Sequence, residues 1–269
     1  MSVERWRFIN SEARSGALNM AIDRLLADKG QPCLRVYGWN PPAISLGFHQ
    51  PVHEVDFVKC HQDNIDIVLR PTGGRAVLHA RELTYAVVLP QSSPFYESRV
   101  LPVYETISKA IIASLKLLDL PVEWKPSQKT LNNLSKGALA SICYASTVQY
   151  EIGFQGKKLV GSAQRRIGGA VLQHGSMLIG DKHLDLPFYL KRGDDRYKKM
   201  IHEVMRKHTI CLDQISHSRI SYAQLAMALR QGFASCLDIE FYDQPLTAEE
   251  LLLGEQNAGA YVPSEETHE

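Results

Sequence analysis

The chain has 269 residues, 45% hydrophobic and 22% charged, which is enough to bury a substantial core and ordinary for a soluble globular protein. Its 30 basic residues nearly balance 29 acidic ones, so there is no electrostatic case for nucleic acid or an anionic membrane as main partner. No run approaches the ~20 apolar residues needed to span a bilayer, and the N-terminal MSVERWRFINSEARSG lacks the apolar core of a signal peptide. Five scattered cysteines, odd in number and without a C-x-x-C pair, argue against a disulfide framework or a zinc site and suit a reducing cytoplasm.

In chain order, Ala17 to Asp28 carries apolar residues at helical spacing between Ser15-Gly16 and Gly30, and reads as an amphipathic helix. Cys33 to Gly38 alternates like a strand, with Cys33 a packed core thiol. Asn40-Pro41-Pro42 turns the chain into a second strand, Ala43 to Gly47. A short helix over Val52 to Cys60 leads to a strand at Ile65 to Leu69. The segment Arg70-Pro71-Thr72-Gly73-Gly74-Arg75-Ala76-Val77-Leu78-His79 follows directly. Adjacent glycines let backbone amides turn toward a ligand, and flanking arginines supply fixed positive charge. An ordinary hairpin with solvated arginines fits the same residues. Glu82 to Leu89 is a strongly apolar strand closed by Pro90. With no helix between these strands, the pattern predicts antiparallel pairing rather than a nucleotide-binding βαβ unit.

Val103, Ile107, Ile111, Leu115 and Leu118 predict the longest helix, from Ser98 to Leu118, followed by a short strand at Val122 to Trp124. Pro126 to Ser141 is polar and long for a loop inside a compact domain, a class that is functional or disordered. It delivers the chain to Cys143. After an apolar strand-like run and a turn at Gly156 come Lys157 and Lys158, the small residues Gly161-Ser162-Ala163, Arg165-Arg166 and His174. Ser176 to Gly180 continues as a strand. The remainder is mainly helical: Asp185 to Leu190, Tyr197 to His208, Tyr222 to Leu237 with a clear apolar stripe, and Ala248 to Leu253 behind an N-capping Thr247. From Gln256 onward the polar composition predicts fraying. No repeat or linker divides the chain, so residues 1–269 are read as one domain, with a core over about 5–240 and a helical extension and polar tail over about 241–269.

Among the cysteines, Cys143 alone sits outside a packing pattern. A thiolate there is a strong nucleophile that exchanges acyl groups with a thioester at almost no thermodynamic cost, although a lone cysteine is also commonly inert. Lys158 precedes the apolar pair Leu159-Val160. Taken into a partly buried site its amine can pass protons, whereas on an edge strand it is a surface charge. Lys157 would point to the opposite face. Gly161, Ser162 and Ala163 permit close approach of a ligand or of neighbouring backbone. Gln164, Arg165 and Arg166 could meet an acidic partner or remain solvated. His79 and His174 read as scaffold histidines ahead of bases, and no histidine spacing points to a metal.

RPTGGRAVLH and GKKLVGSAQRR…VLQHGS, in this order, resemble the lipoate–protein ligase A type of the biotin/lipoyl protein ligase superfamily, and within it the octanoyltransferases that use a cysteine acyl-enzyme. The resemblance runs from about residue 5 to 240. It implies an α+β fold: a mixed, largely antiparallel sheet flanked by helices, biotin/lipoyl-ligase-like and related to class II aminoacyl-tRNA synthetases. It places Arg70, Gly73, Gly74, Arg75 and His79 in the acyl-binding turn, and Gly161, Ser162 and Ala163 along the substrate channel. Lys158 falls at the motif lysine and Cys143 at the cysteine of the transferase branch. The implied donor is acyl carrier protein. The implied acceptor is a lipoyl-domain protein, either glycine cleavage H protein or a 2-oxoacid dehydrogenase E2 subunit. Neither ATP nor a metal is implied. Leu69 stands where many relatives have an arginine, Arg75 where ATP-using ligases have a third glycine, and Ala80 where an aspartate is common. Arg75 together with Cys143 leans toward the transferase; an ATP-dependent lipoate ligase and an amidotransferase acting between lipoyl-domain proteins are the alternatives.

Overall fold

The computed structural model describes residues 3–126 and 150–264. Its strands are β1 (Glu4–Asn10), β2 (Cys33–Tyr37), β3 (Ala43–Leu46), β4 (Asp66–Leu69), β5 (Val77–His79), β6 (Glu82–Pro90), β7 (Glu123–Pro126), β8 (Tyr150–Phe154), β9 (Lys157–Ile167), β10 (Ala170–Leu178) and β11 (Ile239–Asp243). The helices that matter here are α1 (Gly16–Lys29), α2 (Phe57–Gln62), α3 (Val100–Lys116), α4 (Asp195–His208), α5 (Tyr222–Leu237) and α6 (Ala248–Ala258). Among the described residues the larger sheet runs β11-β1-β2-β6-β10-β9-β8-β7 and the smaller one β4-β3-β5.

β6 sits centrally, and every one of its residues is buried. A strand covered on both faces needs apolar side chains in both directions, which is why this segment reads as a continuous hydrophobic run. Val87 and Leu89 join a core beneath α3 and α5, which pack on each other. Ala86 and Val88 join a second core beneath α1. The expected apolar stripe of α3 is buried: Val103, Ile107, Ile111 and Leu115 are inaccessible to solvent. Gly30 ends α1 in the left-handed region (φ 61°), its amide returning to the Leu26 and Ala27 carbonyls. Pairing within the larger sheet is antiparallel except where β1 lies parallel to β2 and to β11.

Two departures from the sequence reading share one cause. β1 and β11 carry charged residues within their apolar runs that hide their strand character, and the tail does not fray at Gln256. Arg7 points inward from β1 and meets Glu250 on α6 through two bonds, of 2.8 and 2.7 Å. Lys29 adds a 3.0 Å contact to the same carboxylate. Burial would push the Glu250 carboxyl up, but Arg7, the Thr247 amide and Lys29 outweigh it and bring its pKa down to about 2. α6 therefore docks on α1, with Leu251 and Tyr261 packed against the second core. Arg7 and Glu250 are 3% and 2% exposed, whereas Lys29 is 38% exposed. Glu250→Ala takes the opposing carboxylate from a buried guanidinium, leaving it the Gln244 and Pro245 carbonyls, and should cost about 3 kcal/mol, while Lys29→Ala should cost less than about 1 kcal/mol; urea denaturation of both variants checks the contrast.

Candidate active site

In the smaller sheet β3 pairs parallel with β4 and antiparallel with β5, so β4 and β5 flank it on opposite sides. The 70–76 segment joining them is thus not a hairpin. It has to cross the end of β3, and it does so over Gly47, where a Cβ would lie 1.9 Å from the Gly74 carbonyl oxygen. Gly74 has φ +98°, a conformation that L side chains rarely adopt. Arg70 holds this crossing in place. Its Nη1 donates to the Ser45 carbonyl (2.9 Å) and Oγ (3.1 Å), its Nη2 to the Gly73 and Arg75 carbonyls (2.9 and 2.7 Å), and its Nε again to Gly73 (3.1 Å). Arg165 pins the outside of the turn, donating to the Pro71 carbonyl at 2.8 Å and lying over the Phe48 ring.

Two buried chains of hydrogen bonds run beside the turn. In the first, His79 Nε2 meets Ser45 Oγ at 2.7 Å and His79 Nδ1 meets Glu82 at 2.7 Å, while Trp39 stacks on the imidazole at 4.0 Å. Glu82 also accepts from the Thr84 and Ser176 hydroxyls. Burial raises the pKa of this carboxyl, but His79 and the two hydroxyls outweigh burial and leave it below the ordinary value. In the second chain, Thr72 Oγ1 meets His174 Nε2 at 2.6 Å, and His174 Nδ1 meets Asp23 Oδ2 at 3.0 Å. Asp23 is bound in turn by Arg35 at 2.6 Å and by the Tyr37 hydroxyl at 2.7 Å. Burial again opposes ionisation of Asp23, and Arg35, His174 and Tyr37 reverse it. His174 moves down, chiefly through burial. A neutral His174 donates from Nδ1 to the Asp23 carboxylate and accepts the Thr72 hydroxyl at Nε2, so a residue on α1 positions the glycine-rich turn through a strand of the larger sheet.

A narrow cavity of about 30 Å³ opens between the two chains. Met20, Tyr37, Trp39 and Val77 supply apolar wall, and Ser45, His79 and His174 supply polar groups. Gly161, Ser162 and Ala163 on β9 form the opposite side, in register with Ser176, Gly175 and His174 on β10. Small residues are required there: a Cβ at Gly175 would stand 2.5 Å from the Gly161 oxygen and 2.7 Å from the Tyr85 ring. Ser162 Oγ is tied to the Tyr85 hydroxyl at 2.7 Å, which also accepts from Gln173.

Lys158 lies on the same strand as the small residues, is 3% exposed, and places Nζ 3.0 Å from Glu151 Oε1 on β8. An irregularity at Ile152/Gly153 re-aims this part of the pairing. Gly153 is obligatory there, since a Cβ would lie 2.0 Å from the Lys157 oxygen. The Lys158 carbonyl accepts the Ile210 amide at 2.9 Å, which fastens β9 to the end of α4.

Of the residues singled out from sequence, Arg70, His79, Gly161, Ser162 and Ala163 meet at one cavity. Gly73, Gly74 and Arg75 shape the turn without lining that cavity. Lys158 stands about 10 Å along β9 from Gly161, at about 3.3 Å per residue. Cys143 and the loop leading to it lie outside the described residues. Arg70, expected in the acyl-binding turn, fastens that turn to Ser45 on β3 and lines the cavity. Sequence reasoning missed Asp23, Ser45, Glu82 and Glu151. Asn19 and Asp23, polar and four apart inside the α1 stripe, were a usable signal, and so was Glu151 within an apolar run.

Residues 15–234 match the lipoyl protein ligase A/B catalytic domain model. The chain belongs to that family. It is 35% identical to the octanoyltransferase LipM of Kyrpidia tusciae, with 98% of each chain covered, and 34% identical to LipM of Bacillus subtilis, with 93% of each covered. In architecture it is similar to a bipartite lipoate protein ligase from Thermoplasma acidophilum, with a TM-score of 0.76 at 22% identity over 95% of this chain and 92% of that one. Lipoate-protein ligase A bound with ATP is also similar, with a TM-score of 0.74 at 24% identity over 95% and 94%. These likenesses place the mixed sheet with flanking helices in the lipoate-ligase fold.

The two glycines of the family's turn should behave differently on substitution. Gly74→Ala forces a side chain into the left-handed region, with Arg70 Nη2 2.7 Å from the new Cβ, whereas a Cβ at Gly73 meets nothing within 4 Å. Thermal unfolding should show Gly74→Ala destabilised by about 1–2 kcal/mol and Gly73→Ala changed by less than about 0.5 kcal/mol.

Proposed function

We propose that this chain transfers an octanoyl group from octanoyl–acyl carrier protein to a lysine of a lipoyl-domain protein, through a thioester on Cys143. That it is an octanoyltransferase rests on relatives of that activity that match it end to end. The observation that carries the finer reading is the placing of a buried amine, Lys158, on the strand whose Gly161, Ser162 and Ala163 wall the cavity.

In the first step the Cys143 sulfur attacks the donor thioester carbonyl. The carbon–sulfur bond to the carrier breaks, and the carrier leaves as its thiol. In the second, the acceptor lysine amine attacks the enzyme thioester, forming an amide and freeing Cys143. Lys158 takes the thiol proton and returns it to the departing sulfur, then serves the acceptor amine likewise, with Glu151 orienting its Nζ. Backbone amides near Gly73-Gly74 or along 161–163 would face the developing oxyanion. One thioester is exchanged for another and then for an amide, so neither ATP nor a metal is required. A cavity this narrow holds only a water or two. An eight-carbon chain therefore has to part its walls, and the unbranched Met20 is the adaptable one. A lipoyl domain, borne on glycine cleavage H protein or on an E2 subunit, is the acceptor, and the cytoplasm is the compartment that keeps Cys143 reduced.

Intact-mass measurement after incubation with octanoyl–acyl carrier protein tests the reading. The expected result is an adduct of one octanoyl group, formed without ATP, lost in Cys143→Ala and formed about 10² times more slowly in Lys158→Ala. Adduct-free enzyme, full turnover by Cys143→Ala, or strict dependence on ATP would replace the transferase with a ligase.

A further inference from the structure

The chain as a whole is almost neutral, yet residues 191–208 hold seven Lys and Arg against three Asp and Glu. On α4 the buried side is Ile201 and Met205, and the exposed side carries Arg196, Lys199, Arg206 and Lys207. Arg206 is paired with Glu203 at 2.6 Å. Cations in the last turn of a helix are explained by its dipole, and Asp194 caps the N-terminus in the usual way. Arg196, Lys198 and Lys199 are not so explained. They occupy the first turns, where positive charge opposes the dipole, and Lys191 and Arg192 precede them. Local helix energetics disfavour this placing, so it calls for another reason.

The helix leads to the reacting groups. Its C-terminal neighbour Thr209 bridges Lys158, and His208 lies within electrostatic reach of Glu151, Lys157 and Lys207. At about 1.5 Å per residue, Lys199 stands about 14 Å up the helix from that end. An acyl carrier presents its thioester on a pantetheine arm rooted in a phosphodiester, so the face receiving it must meet negative charge some way from the reacting carbonyl. Near the turn, Arg70 is committed to the Ser45, Gly73 and Arg75 carbonyls and Arg165 to Pro71 and Phe48.

We propose that the exposed cationic face of α4, with Arg196 and Lys199 at its far end, docks the acidic acyl carrier so that its arm reaches toward Lys158. The proposal rests on the transferase reading above. It is tested in the full chain by the double variant Arg196→Glu/Lys199→Glu, against Lys109→Glu/Lys116→Glu on the exposed side of α3, which changes net charge equally. Enzyme acylation is followed with octanoyl–acyl carrier protein and with octanoyl-pantetheine, which has the thioester but no protein.

The expected result is at least a tenfold rise in KM for the carrier substrate in the α4 variant only, a shallower dependence of its rate on salt, and unchanged acylation by octanoyl-pantetheine. An equal loss on both donors, an equal effect of the α3 variant, or a loss confined to transfer onto the lipoyl domain would each overturn it. If wild-type enzyme is acylated by neither donor, the transferase reading fails first and takes this proposal with it.

Discussion

One guanidinium holds the site together. Arg70 reaches from the end of β4 to three backbone carbonyls and one hydroxyl, and so fastens the glycine-rich crossing onto β3. Without that clasp, the run of carbonyls between Gly73 and Arg75 would have no buried donor opposite it, and the crossing over Gly47 would have nothing to pull it close. The clasp also sets what surrounds it. Ser45 is bound by both Arg70 and His79, His79 by Glu82, and Glu82 by Ser176 on the neighbouring sheet. The second chain, from Thr72 through His174 to Asp23, ties the same turn to α1.

These buried polar groups are costly unless every one is answered, and here charged members sit beside opposite charges, hydroxyls or backbone carbonyls. That explains how two histidines, two carboxylates and two arginines survive in the interior. It also separates two kinds of work. The network around Arg70, His79 and His174 shapes a narrow slot, whereas Lys158, further along β9, pairs with Glu151 on β8 beyond that slot. An acyl chain held in the slot with its carbonyl directed along β9 toward Lys158 would use both.

Much of this fold was legible in the sequence. The stripe of α3, the helix before Gly30 and the apolar run of β6 follow from periodicity alone, because packing there agrees with local preference. β1 was not legible, since Arg7 occupies a buried position that Glu250, 243 residues away, and the Gln244 and Pro245 carbonyls make tolerable. The site divides the same way. Glycine and small-residue clusters marked the turn and the β9 wall, because close backbone approach leaves a local trace. The pairing of Asp23 with His174 leaves none, spanning 151 residues. The structural work of Arg70 left no local trace either, because only the fold shows that the turn must cross a strand and needs a buried donor set.

In the proposed reaction Cys143 carries the acyl group between donor and acceptor. Octanoyl-enzyme freed of carrier by gel filtration is mixed with a lipoyl domain in the absence of ATP and donor. Loss of one octanoyl mass from the enzyme, matched by its gain on a single acceptor lysine at a rate at least equal to steady-state turnover, is the predicted result. An adduct that stays on the enzyme, or that transfers more slowly than turnover, would show that the thioester lies off the reaction path and contradict that role of Cys143.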